Sequence, residues 1–415
     1  MRLPRGVLDN TLSVLREGYG WLPGLRRRHG TDMVHTRVLG QRAVGLCGPD
    51  AARFFYDEEH VRRHTALPEL VRGTLFGKGA VHTLDGEAHR RRKHLFLDLV
   101  TPENVAALAK QVGEAWDHAV AGWEPGQPVV VLDEASRVIT RGVCRWAGVP
   151  VDDQDVPEVA RDLVAMVDGF ATLGPRHWRA RRARGRRERW LASLVDRVRR
   201  GEVEAPAGSA LDAVARHRDA DGDVTASELA PKLAAVELLN VIRPTVAVCW
   251  FVAFAAHALH RWPEHRQRLR DGDAEFTESF VHELRRFYPF APFVGGRAVS
   301  DLTWRGDRIP RGALVLLDLY GQNHDGRLWE EPYAFRPDRF LGRKIGAFEL
   351  VPQGGGDPRT GHRCPGEPFT VAVLSALVPR LAALDHEVPG QDLGISLSRV
   401  PARPASGFVL VPRRR

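Results

Sequence analysis

Apolar residues recur at intervals of three and four positions through much of the chain. The stretches TPENVAALAKQVGEAWDHAV (101–120), SELAPKLAAVELLNVI (227–242) and DAEFTESFVHELRRFY (273–288) show this spacing, which is typical of helices with one buried face. Thr101 and Ser227 stand at the start of the first two stretches, where a hydroxyl can cap the first turn. The pattern therefore predicts three α-helices, of which the first two follow a capping hydroxyl.

Strand signals are shorter and lie towards the two ends of the chain. MVHTRVLGQRAVGLCG (33–48) alternates like a hairpin, and RAVSDLTWRGDRIPRGALVLLDLY (297–320) has short strand patterns separated by Gly and Pro turns. There is no internal repeat of roughly 20 to 50 residues and no Gly/Ser-rich or Pro-rich linker. The sequence predicts a mainly α fold with small peripheral β-sheets, as a single domain over residues 1–415.

The chain is basic, with 60 Lys and Arg against 52 Asp and Glu, a formal net charge of +8. Such a balance suits an acidic partner, a membrane surface or nucleic acid and does not choose among them. The densest charge run, GPRHWRARRARGRRERW (174–190), holds eight arginines. We interpret it as a solvated helix face rather than a docking patch for an acidic partner or nucleic acid, because aromatic side chains for base stacking are sparse there.

The cysteines and the hydropathy of the chain indicate in which cellular compartment the protein is expected. The four cysteines are widely separated and form no C-x-x-C pair, which argues against a disulfide framework or a structural zinc site. The N-terminus has no apolar stretch of signal-peptide type. The longest apolar run, residues 246–256, is shorter than the roughly 20 residues that span a bilayer. We expect a cytoplasmic protein without a membrane span.

One cysteine, Cys364, lies in a glycine-rich loop, PQGGGDPRTGHRCPGEPF (352–369), directly before a stretch with helical apolar spacing. Backbone N–H groups of such a loop and the positive end of the following helix favour a thiolate, which is the form that binds a metal. A lone cysteine before a helix is more often a small buried residue. The loop by itself leaves both interpretations open.

Two further motifs precede this loop. HELRRF places Glu283 and Arg286 three residues apart on one helix face, and FRPDRF contains Arg339. The order E-x-x-R, then P-D-R-F, then H-R-C-P-G-E resembles the cytochrome P450 family of heme-thiolate proteins. The resemblance implies that Cys364 is the axial ligand of the iron of heme b, where a thiolate favours O–O cleavage. It also implies that Glu283, Arg286 and Arg339 brace the cysteine loop.

The resemblance also assigns residues to the propionates of the heme. His89 and Lys93, one turn apart, fall where the family binds them, and Arg63 and His362 are further candidates for the same role. For each residue the alternative is an exposed basic side chain. The loop departs from the usual F-x-x-G-x-R-x-C, because Asp357 replaces the phenylalanine and His362 replaces the arginine. It therefore belongs to a less common branch of the family.

The stretch NVIRPTVAV (240–248) places Arg243 and Pro244 inside an apolar run. In most of the family this helix carries an acid followed by a threonine, which deliver protons to iron-bound dioxygen. Arg243 and Pro244 cannot relay protons in this way, but a buried arginine can hold a carboxylate in a bidentate pair. The alternative is an internal ion pair between Arg243 and Glu237 of the same stretch.

The Arg-Pro pair, together with LFGKGAVHTLDGEAHRRRKHLF (75–96), resembles the fatty-acid peroxygenase branch. The resemblance implies hydrogen peroxide as co-substrate and a long-chain fatty acid as substrate, without redox partner, nicotinamide or flavin. The carboxylate of the fatty acid would bind Arg243 and act as the general acid/base that the protein lacks. Its α and β carbons would then be the ones oxidised. Pro244 would kink the helix and make room for the head group.

His82 bears on the product. In this branch the matching position is often Gln in hydroxylating members and His in a member that forms terminal alkenes. His82 therefore implies 2- or 3-hydroxy fatty acids with alkenes from oxidative decarboxylation, while a pocket histidine without influence is the other interpretation. Phe76 matches an aromatic residue packed on this position, or is generic core. The implied walls of an apolar substrate channel are Phe170, Leu173, Phe293 and Val294.

Other functions stay open at this point. A reductase-dependent heme monooxygenase on another substrate is one, although the missing acid and threonine speak against it. An isomerase of fatty-acid hydroperoxides is another, since such heme-thiolate proteins also need no reductase. A non-catalytic heme-based sensor is the third, but no DNA-reading motif accompanies the arginine run. The sequence predicts neither the oligomeric state nor the preferred chain length.

Overall fold

The computed structural model describes residues 9–66, 68–219 and 227–413. The α-helices are α1 (Thr11–Glu17), α2 (Trp21–His29), α3 (Pro49–Tyr56), α4 (Glu69–Val71), α5 (Gly86–Leu97), α6 (Pro102–Ala121), α7 (Val131–Trp146), α8 (Val156–Asp168), α9 (Pro175–Arg199), α10 (Ala210–Arg216), α11 (Pro231–Val246), α12 (Cys249–Arg261), α13 (Arg266–Arg270), α14 (Ala274–Phe287), α15 (Leu319–Asn323) and α16 (Glu367–Ala383). The strands are β1 (Met33–Val38), β2 (Gln41–Leu46), β3 (Val61–Arg62), β4 (Val129–Val130), β5 (Arg218–Asp219), β6 (Ser227–Glu228), β7 (Phe293–Ala298), β8 (Leu302–Trp304), β9 (Asp307–Ile309), β10 (Leu314–Asp318), β11 (His386–Glu387) and β12 (Val409–Pro412).

The strands form small sheets. In the largest sheet of the described residues the order is β1-β2-β10-β7-β3. β1 and β2 are the predicted hairpin, with Met33 opposite Leu46, while β10 runs parallel to β2 and antiparallel to β7. A second sheet has the order β11-β12-β4, and β5-β6 and β8-β9 form two-stranded pairs. The predicted mainly α fold with small sheets is confirmed.

Two of the predicted helix starts have different outcomes. α6 begins as predicted, because the Thr101 hydroxyl accepts the N–H of Asn104 at 3.2 Å. The start predicted at Ser227 is wrong. Ser227 lies in β6, and α11 begins four residues later at Pro231, after the extended Ala230. Proline suits the first helical position because its missing N–H would have no partner there. The third predicted helix corresponds to α14.

Helices α11 and α12 form the apolar centre of the molecule, where α7, α14 and α16 pack against α12. The run Pro231–Arg261 is long and apolar enough to cross a membrane, but its 18-residue apolar window, with a mean hydropathy of 1.7, is 89% buried in the protein. Core packing accounts for that apolarity. The run is interrupted at residues 247–248, one turn beyond Pro244, which lies inside α11 and cannot donate to the carbonyl four residues back.

The arginine run forms the first half of α9, as predicted, but it is not a uniformly solvated face. Arg184 is 3% exposed and donates to the carbonyls of Leu75 and Phe76 at 2.7 and 2.9 Å. Arg187 forms an ion pair with Asp162 of α8 at 2.7 Å. The interpretation as a solvated face is wrong for these inward arginines, which hold α9 against its neighbours.

Candidate active site

The glycine-rich loop places Cys364 next to the first turn of α16. The N–H of Cys364 donates to the carbonyl of Gln353 at 3.0 Å, and Gln353 Nε2 lies 3.8 Å from the Cys364 sulfur. Gly354, at φ +97°, lets the chain pass Tyr56, since a Cβ there would lie 2.7 Å from the Tyr56 hydroxyl. Burial raises the pKa of the Cys364 thiol, and the N–H of Gly366 opposes this rise. A bound cation is what makes this sulfur a thiolate.

A second group of side chains ties α14 to this loop. Arg285 is 1% exposed, forms an ion pair with Glu367 and donates to Gln353 Oε1 at 3.0 Å. Arg363, next to the cysteine, donates to Glu367 Oε2 at 2.8 Å. Arg285, Gln353 and Glu367 were not among the predicted site residues. Arg285 is the first arginine of HELRRF, next to the predicted Arg286, and this adjacency is the signal that could have indicated it.

The predicted brace residues lie together in the interior. Glu283 and Arg286 are 0% and 1% exposed and form a bidentate pair, with both nitrogen–oxygen distances 2.7 Å. Arg339 Nε lies 3.1 Å from Glu283 Oε2. Arg286 also donates to the carbonyls of Asn323 and Pro332, each at 2.8 Å. One buried carboxylate therefore joins α14 to the chain segments that lead into the cysteine loop.

Arg243 is a buried cation that has no carboxylate partner within residues 9–66, 68–219 and 227–413. It is 5% exposed, its Nη2 lies 3.4 Å from Asn240 Oδ1, and its guanidinium carbon lies 5.9 Å from the centroid of the Phe76 ring. Its Nε has no hydrogen-bond partner, and no carboxylate of the described residues pairs with it. Burial, reinforced by Arg184, lowers the pKa of Arg243 to about 9, and the negative charge of Cys364 opposes this. Such a group can bind a carboxylate from outside the chain.

The ion pair between Arg243 and Glu237 is absent. Glu237 instead accepts from Arg92 of α5 and from the N–H of Val81, both at 2.9 Å. Its other oxygen accepts from Asn240 Nδ2 at 3.2 Å. Glu237 thus accepts hydrogen bonds from three other donors and does not pair with Arg243. Arg92 and Asn240 were not among the predicted site residues.

His82 lies within electrostatic reach of Arg243. It sits in the 3₁₀ turn Val81–Thr83, with its ring 4.4 Å from that of Phe76 and tilted by 36°. Phe76 itself ends a single π-helical turn, Arg72–Phe76. Burial, followed by the charge of Arg243, lowers the pKa of His82 well below its usual 6.5, and its buried Nδ1 has no hydrogen-bond partner among the residues that the structure describes. His82 is therefore neutral at neutral pH, with one nitrogen ready for a ligand.

The two predicted propionate-binding histidines are in contact. The rings of His89 and His362 stack with centroids 3.9 Å apart, and His362 Nε2 lies 3.3 Å from both Glu58 and Asp85. Burial lowers the pKa of His89 to about 3, and its buried Nδ1 has no hydrogen-bond partner in the described part of the chain. Glu58, His89 and His362 bring ligand atoms within 4.8 Å of one another, a spacing that also suits a metal ion.

Lys93 and Arg63 have partners within the protein. Lys93 donates to the carbonyls of Gly361 and Arg363, the second at 2.9 Å, and so holds the cysteine loop. Arg63 is 6% exposed and donates to the carbonyl of Gly295 at 2.7 Å. Both cations are buried near the loop and its neighbouring sheet. Their contact with heme propionates stays a prediction.

The four predicted channel residues lie in two places. Phe170 and Leu173 stand in the connection between α8 and α9, where Phe170 is half-buried and Leu173 is 63% exposed. Phe293 and Val294 open β7 and are half-buried, with Phe293 packed edge-on against Trp21. Leu173 thus lies on the surface rather than in an interior wall. The role of the other three in a channel stays a prediction.

This arrangement fits a heme. Cys364 offers a sulfur ligand beside loop amides, which suits iron, and the unpaired nitrogens of His82, His89 and Arg243 leave buried donors without protein partners. Buried donors of this kind call for anionic or polar ligands, since leaving them unsatisfied is costly. A heme held through Cys364, with its propionates towards His89, would supply such groups.

Comparison with known proteins agrees with this geometry. The cytochrome P450 family model matches residues 271–395, which contain the brace and the cysteine loop. Cytochrome P450SP alpha (CYP152B1) in complex with (R)-ibuprophen is 42% identical, with a TM-score of 0.92 over 97% of this chain and 98% of that one. A variant of cytochrome P450 OleT in complex with arachidonic acid is 35% identical, with a TM-score of 0.94 over 98% and 96%. Cytochrome P450EX alpha (CYP152N1) with myristic acid is 37% identical, with a TM-score of 0.92 over 98% and 97%.

Curated relatives match less closely. Cyclooctat-9-en-7-ol 5-monooxygenase of Streptomyces melanosporofaciens is 23% identical over 91% of this chain and 86% of that protein. "Cytochrome P450 4e5, mitochondrial" of Drosophila mettleri is 32% identical, but the match spans only 34% of this chain and 30% of that protein.

The chain belongs to the cytochrome P450 family. It is therefore a heme-thiolate oxidoreductase with heme iron as its cofactor, an enzyme rather than a non-catalytic sensor. Within the family it is similar to CYP152 structures along nearly its whole length, which confirms the resemblance to the fatty-acid peroxygenase branch.

Proposed function

We propose that this enzyme uses hydrogen peroxide, without a redox partner, nicotinamide or flavin, to oxidise long-chain fatty acids at the α and β carbons. The products are 2- or 3-hydroxy fatty acids, with terminal alkenes where oxidation ends in loss of the carboxyl group. The observation that carries the proposal is the buried guanidinium of Arg243, which has no carboxylate partner among the described residues. The fatty acids bound in two of the CYP152 structures support the substrate class.

In this proposal Arg243 binds the carboxylate of the substrate. The guanidinium can take both carboxylate oxygens in a charge-assisted pair, and the apolar surroundings of α11 strengthen the attraction. Asn240 orients Arg243 from one helical turn away, and the Phe76 ring lies beside it. Because the head group is fixed at Arg243, the carbons next to it are the ones presented to the reaction.

The acid/base group in this proposal is the bound carboxylate itself. Glu237, the acid of α11, accepts three hydrogen bonds and is not available for proton transfer. The Thr245 hydroxyl donates to the carbonyl of Val241 at 2.9 Å within the helix. The substrate carboxylate on Arg243 can take a proton from hydrogen peroxide and return it to the departing oxygen. The heme on Cys364 supplies the oxidising chemistry when bound.

The proposal is tested by mixing the heme-loaded enzyme with a saturated long-chain fatty acid and hydrogen peroxide, without reductase, and analysing the products by mass spectrometry. We expect hydroxy acids, alkenes or both. Product formation only with an electron donor, a reductase and dioxygen would instead favour a monooxygenase, the activity named for the Streptomyces relative. Conversion of a fatty-acid hydroperoxide without added peroxide would favour the isomerase.

The affinity for fatty acids is expected to fall as the pH rises through about 9. The pKa of Arg243 in the free enzyme is lowered to about 9, so the cation that binds the carboxylate is present below that pH and is lost above it. Each pH unit above this value then weakens binding by about tenfold. Titrating the heme absorption spectrum with fatty acid from about pH 7 to about pH 10 measures this. A fatty alcohol of equal length should show no such fall.

His82→Gln is expected to lower the share of alkene in the products. The neutral imidazole of His82 lies next to Phe76 and within reach of Arg243, so it stands beside the carbons that would be oxidised. Glutamine keeps hydrogen bonding but removes the ring nitrogens that can exchange a proton. The ratio of alkene to hydroxy acid is measured beside Thr83→Ser, a control in the same turn. An unchanged ratio would remove this role from His82.

We also infer a cytoplasmic enzyme. Cys47, Cys144 and Cys249 are buried and unpaired, and no disulfide occurs among the described residues, which supports a reducing compartment.

A further inference from the structure

Helix α9 carries the whole charge surplus of the chain. It contains ten arginines and two acidic residues, a surplus of eight. The formal net charge of the entire chain is also +8. The inward arginines of the helix are paired, as Arg184 is with Glu188 and Arg187 with Asp162. Among the described residues, the arginines of α9 that form no ion pair are Arg179, Arg181, Arg182 and Arg189, and the first three lie in the first turns of the helix.

This outer face combines free cations with exposed apolar side chains. Arg179 and Arg182 are exposed, and within residues 9–66, 68–219 and 227–413 neither forms an ion pair or a hydrogen bond through its side chain. Together with Pro175 and Trp178 they line one groove on the surface of the helix. Trp178 is 58% exposed and Leu173, just before the helix, is 63% exposed. The pairing of cations with large apolar groups is typical of a docking surface.

We propose that this face, formed by Leu173, Trp178, Arg179 and Arg182, docks on an anionic lipid bilayer. Arginines bind lipid phosphates through paired N–H groups, the indole ring favours the bilayer interface, and a leucine side chain can enter the acyl region. Nucleic acid matches less well, because Leu173 offers nothing to bases or phosphates. The assignment of a lipid bilayer as the partner also rests on the proposed function, since long-chain fatty acids dissolve in membranes.

The docking face and the proposed substrate site share helix α9. Arg184, two residues after Arg182 and on the opposite side of the helix, donates to the carbonyls of Leu75 and Phe76. Phe76 in turn lies beside Arg243. A bilayer bound at the outer face is therefore one helix diameter from the segment that carries the pocket aromatic. The enzyme would take its substrate from the membrane on this side of the molecule.

The test measures co-sedimentation of the holoenzyme with phosphatidylglycerol vesicles and with phosphatidylcholine vesicles, without fatty acid or peroxide. We expect binding to the anionic vesicles only, weakened by salt. The variant Arg179→Glu/Arg182→Glu should bind at least about 25-fold more weakly, taking about fivefold for each arginine removed. Trp178→Ser should weaken binding as well. The matched control, called the hairpin control, is Arg308→Glu/Arg311→Glu, with Arg308 in β9 and Arg311 two residues beyond that strand. It changes the net charge equally and should bind as the unaltered enzyme does.

Three outcomes would overturn the docking face. They are no binding to phosphatidylglycerol vesicles, equal weakening by the hairpin control, and tighter binding of duplex DNA through the same arginines. A second experiment presents the fatty acid in solution on serum albumin and measures its turnover by the Arg179→Glu/Arg182→Glu variant. Turnover shows that the active site of the variant is intact, and it tests the proposed function separately from membrane binding. Failure of that turnover in the unaltered enzyme would reject the function while leaving the vesicle result to decide the surface.

Discussion

Arg243→Met is expected to lower kcat/KM for a long-chain fatty acid with hydrogen peroxide by about 10³-fold. The variant has no cation to fix the carboxylate, and removing one partner of a buried ion pair costs about 3–5 kcal/mol, where about 1.4 kcal/mol is tenfold. The same loss removes the positioned acid/base group. Steady-state formation of hydroxy acids and alkenes measures the effect. Unchanged turnover would show that the substrate carboxylate binds elsewhere.

The same substitution should stabilise the ligand-free enzyme. Arg243 is buried, and in the described part of the chain no carboxylate pairs with it and no acceptor bonds its Nε. The guanidinium is therefore costly to bury in the absence of substrate. Methionine is apolar and of similar length, and we expect a higher Tm with it. Arg243→Lys is the matched control, because it keeps the charge and should keep part of the turnover without raising the Tm. Higher stability with lower activity is the result expected when a residue is kept for function at the expense of stability.

Glu283→Ala is expected to lower the free energy of unfolding by about 3–5 kcal/mol and to reduce heme retention. The Glu283 carboxylate pairs with Arg286 at 2.7 Å and with Arg339 at 3.1 Å, and it accepts the N–H of Arg336 at 2.7 Å. Alanine would leave two guanidinium groups without their partner, one of them 1% exposed. Denaturant unfolding and the ratio of heme to protein measure the two effects.

Glu330→Ala serves as the control for this experiment. The Glu330 side chain is 83% exposed, and its one ion pair among the described residues is with Arg336, at 3.5 Å. Its loss should change the free energy of unfolding by less than about 0.5 kcal/mol. A similar small change in Glu283→Ala would mean that the buried triad does not support the cysteine loop.

The parts of the fold set by neighbouring residues could be predicted from the sequence. The Thr101 cap and the β1–β2 hairpin each depend on residues a few positions apart, so their patterns sufficed. The start of α11 could not be predicted in this way. The Ser227 hydroxyl could cap a helix, but Ser227 pairs with Asp219 and lies in β6. Asp219 is outside residues 227–242, so the pattern of that stretch could not indicate this pairing.

The candidate site shows the same division. The order of motifs indicated Cys364, Glu283, Arg286 and Arg339, because the brace depends on an i,i+3 pair and a short second motif. Whether Arg243 pairs with Glu237 could not be predicted, since the answer depends on Arg92, 145 positions before Glu237 in the chain. Contacts between residues this far apart in the sequence arise from tertiary packing, and they cannot be predicted from the pattern of a single sequence.

Helix α5 carries two consecutive cations that hold opposite parts of the site. Arg92 reaches Glu237 on α11, the helix of Arg243, while Lys93 reaches the carbonyls of Gly361 and Arg363 in the cysteine loop. One helix therefore contacts both the helix of Arg243 and the loop of Cys364. If the proposed function is correct, α5 helps to set the distance between the sulfur ligand and the head group of the substrate. A shift of this helix is then expected to change which carbon is oxidised, even with every residue of the pocket unchanged.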